Sequence, residues 1–233
     1  MGAAVQAGLK MRDAALNEVV MTDVCPYTLG IEVVQRVGER EHFIDGQFLP
    51  IIERNTVVPA SRTKTVSTAA DHQKEVKVSI YQGEGRLVKD NILLGQIHMP
   101  VPPRRAGEIS LDVRFTYDVN GIVEVEAKVQ ATGEHKRLVI EENPGVLTAE
   151  EIEESLRELA AYKIHPRDQA ENRALLARAD RLYEQLLGQA REFLGQQIAI
   201  FTSILDRQDP QPIKQARIDL GELLDQIESD SYL

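Results

Sequence analysis

Few residues of this chain are placed to make or break bonds. The five histidines, His42, His72, His98, His135 and His165, are scattered, without the close spacing a metal site demands. Cys25 is the single cysteine. It stands before Pro26 with no basic residue nearby in sequence to hold a thiolate, so it reads as a structural thiol and not a nucleophile. No Gly-x-Ser-x-Gly elbow, paired-carboxylate motif or Gly-rich phosphate loop stands out. The acidic run Glu150-Glu151-Ile152-Glu153-Glu154 reads as a solvated helix start, where the helix dipole favours carboxylates, rather than as a metal site. The expectation is no catalytic residue and no metal: the chemistry left to this chain is non-covalent binding.

Composition narrows what could be bound. The net charge is −10, with 17 acidic against 10 basic residues in 148–233. That argues against direct nucleic-acid binding, which needs a basic face to neutralise phosphates. Tryptophan is absent and aromatics are 5%, which leaves no platform for stacking bases, so no nucleic-acid partner is expected. No apolar run is long enough to span a bilayer, and no membrane partner is expected. The N-terminal residues lack a basic segment followed by an apolar core, and a lone cysteine forms no internal disulfide; a cytoplasmic location is expected.

The elements that must position a binding site show two periods. From 28 to 141 apolar and polar residues alternate: Val76, Val78 and Ile80; Leu111, Val113 and Phe115; Val123, Val125, Ala127 and Val129. Asn120-Gly121 and Thr132-Gly133 supply turns, and Met99 to Gly107 is too rich in proline for a strand interior. One wet and one dry face per strand predict antiparallel sheets packed as a sandwich. At Thr148 the period becomes helical: Thr148 and Glu151 form a capping box, followed by Ile152, Leu156 and Leu159. Pro166 interrupts this pattern. A helix is then predicted over 168–194, with Leu175, Ala179, Leu182 and Leu186 on one stripe and a break at Gly195. After Asp209-Pro210-Gln211-Pro212 a last helix carries Ile213, Leu220, Leu224 and Ile227. The predicted fold class is α+β, an antiparallel β-sandwich followed by a small helical subdomain. Residues 2–18 read as a separate helix.

The stretches DVCPYTLGIEV (Asp23 to Val33) and PIIERNTVVPASR (Pro50 to Arg62) resemble the substrate-binding domain of the DnaK-type heat shock protein 70 chaperones. CPY and PIIERN are most similar to the bacterial HscC type, and GAAVQAG resembles the last helix of the family's nucleotide-binding domain. The resemblance implies three segments: residues 1–23 as that helix plus the interdomain linker, 24–146 as a peptide-binding sandwich, and 147–233 as a helical lid. It places the linker on Val19, Val20, Met21, Thr22 and Asp23, where Thr22 departs from the usual apolar residue. It implies that this chain lacks the ATPase domain and is no enzyme. ATP and magnesium would then belong to the full-length protein, with a J-domain co-chaperone and a nucleotide exchange factor as its partners.

The same resemblance implies a site for extended hydrophobic peptides and unfolded proteins. Its hydrophobic pocket falls on Ile31, Val33, Val66, Val76, Val78 and Leu111, its arch on Val34 and Ala69, and Ser67 offers main-chain contacts. Val66 replaces a commoner phenylalanine, and Val33 and Val34 are β-branched where general chaperones often carry Thr and Met, so peptide preference is expected to differ. The loop side of a lid latch falls approximately on Arg104 or Arg105. With a shorter helical part than in the general chaperones and a longer Val34–Phe48 loop, a looser lid with faster release is expected. The rival reading is an interaction domain that self-associates through linker or lid, its cleft filled by a neighbouring chain or a dedicated partner.

Overall fold

A computed structural model describes residues 23–37, 42–141 and 148–230. The chain divides into two compact units at Leu159/Ala160. In the first, eight strands form two four-stranded antiparallel sheets: β1 (Leu29–Val37), β2 (His42–Ile52), β3 (Ala60–Ser67), β4 (Glu75–Gln82), β5 (Ile92–Pro100), β6 (Ser110–Tyr117), β7 (Ile122–Val129) and β8 (His135–Glu141). One sheet has the order β2-β1-β4-β5, the other β3-β6-β7-β8. The predicted sandwich is therefore present. Its core lies where the inward residues of both sheets meet, with Ile31, Ile80 and Met99 from one and Leu111, Phe115 and Val125 from the other almost wholly buried.

Turn chemistry sets the registers. The β6–β7 hairpin closes through a three-residue loop, with Asp118 N–H donating to the Ile122 carbonyl at 3.1 Å. Only Gly121 takes positive φ (81°), so the turn is not the two-residue type whose central pair both need it. The Asp118 carboxylate accepts from Asn120 and Ile122 N–H at 2.9 and 2.7 Å and holds the loop. β5 ends at Pro100, where the proline-rich stretch begins.

The expected wet outer face of β7 needs correction. Helix α1 (Ala149–Glu158) packs Ile152 and Leu156, with Leu159 just beyond, over Ile122 and Val139, and Glu124 becomes 1% exposed. The Arg137 guanidinium lies 3.7 Å from Glu124 and 3.6 Å from Glu153, and Asn120 donates to Ser155 at 3.0 Å. Both arms of the predicted capping box form, at 3.2 and 2.8 Å.

The second unit contains α2 (Ala170–Gln185), α3 (Gly188–Arg207) and α4 (Pro210–Asp230) around Leu182, Leu194, Phe201, Leu205, Leu220 and Leu224. The single helix predicted over 168–194 is two helices. The break falls at Leu186-Leu187, where the backbone is extended before Gly188 turns to φ 56°. Gly195 sits inside α3 instead of ending a helix. A Cβ there would stand 3.0 Å from the Tyr183 ring, so the glycine permits a close approach between helices. Arg178 of α2 bridges to Asp225 and Glu228 of α4, both at 2.6 Å.

A candidate peptide cleft between splayed strands

β1 and β4 are neighbours, yet they pair only over Leu29–Ile31 and Ile80–Gln82. Beyond Ile31 the two strands part. Among the described residues no ladder joins Glu32–Val34 to Glu75–Val78, and unpaired strand edges are left facing a gap. β1 still pairs with β2 on its other side, with a bulge between Val33 and Gln35. A bulge twists the strand and re-aims a side chain. Val34 accordingly stands 40% exposed at the rim.

The gap is an open cleft of about 620 Å³. Its apolar wall is made of Val33, Leu49, Val66 and Val76, each half-buried against the sandwich core. Val34, Ser67 and Ala69 also line the cleft. Ile31, Val78 and Leu111 lie elsewhere: at 2%, 3% and 0% exposure they are buried core beneath the cleft rather than part of its wall. Leu49, Glu32, Asp45, Gln73, Glu75 and Lys77 line the cleft without having been singled out in the sequence. Leu49 carried a usable signal, because it directly precedes the Pro50–Arg62 stretch; its pairing with Ile31 belongs to the structure.

The loop from Thr68 to Lys74 bounds the cleft, and a second loop braces it from behind. His72 N–H donates to the Arg104 carbonyl at 2.7 Å, Ala106 N–H to the Asp71 carboxylate at 2.8 Å, Gly107 N–H to the Thr68 carbonyl at 2.8 Å and Thr68 N–H to the Ile109 carbonyl at 3.0 Å. Arg104 and Arg105 are thus on the bracing loop, both exposed, with no ion pair to either guanidinium among the described residues. Of the expected linker, Val19 to Thr22 lie outside the described residues. Asp23 accepts from Val58 N–H at 3.0 Å, and Cys25, 1% exposed, exchanges backbone bonds with Asn55 and Thr56 at 2.8 Å.

Charge at the rim is lopsided, three carboxylates (Glu32, Asp45, Glu75) against Lys77. Burial, and after it the Glu32 charge, pushes the nearby Tyr81 phenol up. At the entry to β1, Glu84 accepts from Thr28 N–H and hydroxyl, both at 2.9 Å, and the backbone bond above all holds its carboxyl below the usual range. A smaller cavity of about 200 Å³ lies between the sheets near Cys25, Tyr27, Leu94, Tyr117 and Ile140. It is too small for an extended chain segment. Among the described residues no helix is long and apolar enough to cross a membrane, and no three metal-ligating side chains cluster.

The family model described as "Hsp70 protein" matches residues 1–232. The chaperone protein DnaK of Deinococcus deserti is 39% identical over 159 residues, which is 68% of this chain and 24% of that protein. The chain therefore spans about a quarter of the length of the curated relative it matches. The match corrects one expectation. The sequence reading set this chain apart from the family's ATPase and held it to be no enzyme; the Hsp70 model covers residues 1–232, and that separation does not stand. The chain belongs to the Hsp70 family.

Proposed function

We propose that the cleft between β1 and β4 holds an extended hydrophobic segment of an unfolded or client protein, and that the chain works as the substrate-binding region of an HscC-type chaperone. The observation that carries this is the splaying of β1 from β4 beside Val33, Leu49, Val66 and Val76. An unfolded segment presents unpaired backbone groups together with side chains that a folded protein would bury. A cleft that offers strand edges and an apolar wall reads foldedness more than sequence.

The energies suit a reversible grip. Burying one leucine side chain is worth about 2–3 kcal/mol, and each backbone hydrogen bond adds about 1 kcal/mol net. After ordering costs the sum corresponds to micromolar dissociation constants. In this reading residues 147–233 act as a lid, on the ground of the order of the sequence, with Arg104 or Arg105 on the latch loop. Coupling to ATP and magnesium, a J-domain co-chaperone and a nucleotide exchange factor, in the cytoplasm, belongs to the same reading of the full-length protein.

The test is fluorescence anisotropy with a labelled, extended Leu-rich heptapeptide, run beside Val76→Phe, which fills the wall. Micromolar binding by the wild type and its loss in the variant is the expected result. A folded wild type that binds no peptide at high concentration refutes the reading. Self-association blocked by added peptide would instead identify a cleft filled by a neighbouring chain. Deleting residues 166–233 tests the lid, and an unchanged dissociation rate removes it.

A further inference from the structure

We infer that Gln73 is a positioning residue of the cleft: its carboxamide clasps the loop carrying Ala69, and the lifetime of a bound segment depends on that clasp. The inference rests on the peptide-binding reading and deepens it. The loop from Thr68 to Lys74 is braced from behind by the four bonds to residues 104–109 described above. Its cleft side has no strand partner. There a single side chain closes it: Gln73 Oε1 accepts from Ala69 N–H at 3.2 Å and from Ala70 N–H at 3.4 Å, while Nε2 donates to the Glu75 carbonyl at 2.8 Å. Three main-chain groups at the mouth of the cleft are thereby tied to one amide. Ala69, Gln73 and Glu75 all line the cleft, so the clasp spans the rim from the arch to the first residue of β4.

A carboxamide is needed because it accepts and donates at once. A carboxylate keeps the acceptor alone, and alanine keeps neither. Without the clasp the Ala69 and Ala70 amides open to water, and the loop must be ordered anew each time a segment binds. Such a cost emerges mainly in the dissociation rate, where most affinity differences between related complexes lie. It leaves global stability alone, since surface bonds in a loop belong to the low-stability end of a structure.

The experiment follows release of the labelled heptapeptide from wild type, Gln73→Ala and Gln73→Glu by stopped flow. Hydrogen exchange of residues 68–75 and thermal melting are recorded alongside. Gln73→Ala is expected to release peptide about tenfold faster, the equivalent of one or two hydrogen bonds, with association little changed. Gln73→Glu should fall between, and the Ala69 and Ala70 amides should exchange faster in Gln73→Ala at an unchanged melting temperature. Release at the wild-type rate from Gln73→Ala overturns the inference. So does tighter binding, which would make the carboxamide a competitor of the peptide, and so does a loss shared equally by both variants with lowered melting temperature. A wild type that binds no peptide brings down the cleft reading and this inference together; a binding wild type with an unaffected Gln73→Ala brings down this inference alone.

Discussion

Gly30→Ala is the smallest substitution that should damage both the sandwich and the cleft. Gly30 lies in β1 between Pro50 of β2 and Tyr81 of β4. A methyl group there would stand 2.8 Å from Phe48 Cε2 and 2.9 Å from the Leu49 carbonyl carbon, with the Leu49 carbonyl oxygen closer still. The phenylalanine ring can turn away, but the Leu49 backbone cannot, because it is held in the β1–β2 ladder. The strands must separate. Overpacking of this kind costs about 1–3 kcal/mol, and one stretched ladder bond adds about 1 kcal/mol. Against that, replacing glycine by alanine recovers about 0.4–1 kcal/mol of unfolded-state entropy at positions where alanine fits. The net is a loss of roughly 1–3.6 kcal/mol, felt first at Ile31 and Ile52, which are 2% and 1% exposed. Hydrogen exchange read by mass spectrometry resolves the effect by segment. Peptides from β1 and β2 should exchange roughly 5- to 400-fold faster, while peptides from α2 to α4 serve as an internal control. Less than a threefold change in β1 and β2 would show that the backbone yields without cost, and the steric reasoning would be wrong.

Three further outcomes follow from the geometry. Peptides flanked by lysine or arginine should bind more tightly than those flanked by glutamate, because Glu32, Asp45 and Glu75 outnumber Lys77 at the rim; a preference that persists in 1 M salt would rule out this electrostatic origin. In the helical unit, hydrogen bonds from Arg178 hold the Glu228 carboxyl below its ordinary value near 4.5. A depressed carboxyl stabilises the fold above that ordinary value, and the contribution is lost as pH falls through the lowered one. The melting-temperature gap between wild type and Arg178→Met should therefore narrow from pH 7 to pH 3, and a constant gap would assign the effect to packing. Thr148→Ala removes the acceptor for Glu151 N–H and should weaken the start of α1 by about 1 kcal/mol, seen as faster exchange of residues 149–158 with β1 to β6 unaffected.

Much of the fold was legible in the sequence because local physics decided it. Alternation at Val76–Ile80, Leu111–Phe115 and Val123–Val129 needs only the two-residue repeat of a strand, and the Thr148–Glu151 capping box needs only four consecutive residues. The break before α3 was less legible. Leu186 and Leu187 fit the helical stripe, but Gly188 turned the backbone where the sequence suggested Gly195. What Gly195 does is set by the Tyr183 ring, a neighbour across the bundle.

The cleft divides in the same way. The sequence by itself determined which strands carry aliphatic residues at Ile31, Val33, Val66, Val76, Val78 and Leu111. It did not decide which of them face solvent, because alternation assigns a face of the sheet and not a depth within the sandwich. Only the tertiary structure settled that, by parting β1 from β4 after Ile31 while the packing of the two sheets on each other sealed Ile31, Val78 and Leu111 beneath. The three rim carboxylates depend on contacts between strands distant along the chain, and the Gln73 clasp joins residues 69 to 75 within one irregular loop. Such contacts leave no local period to read.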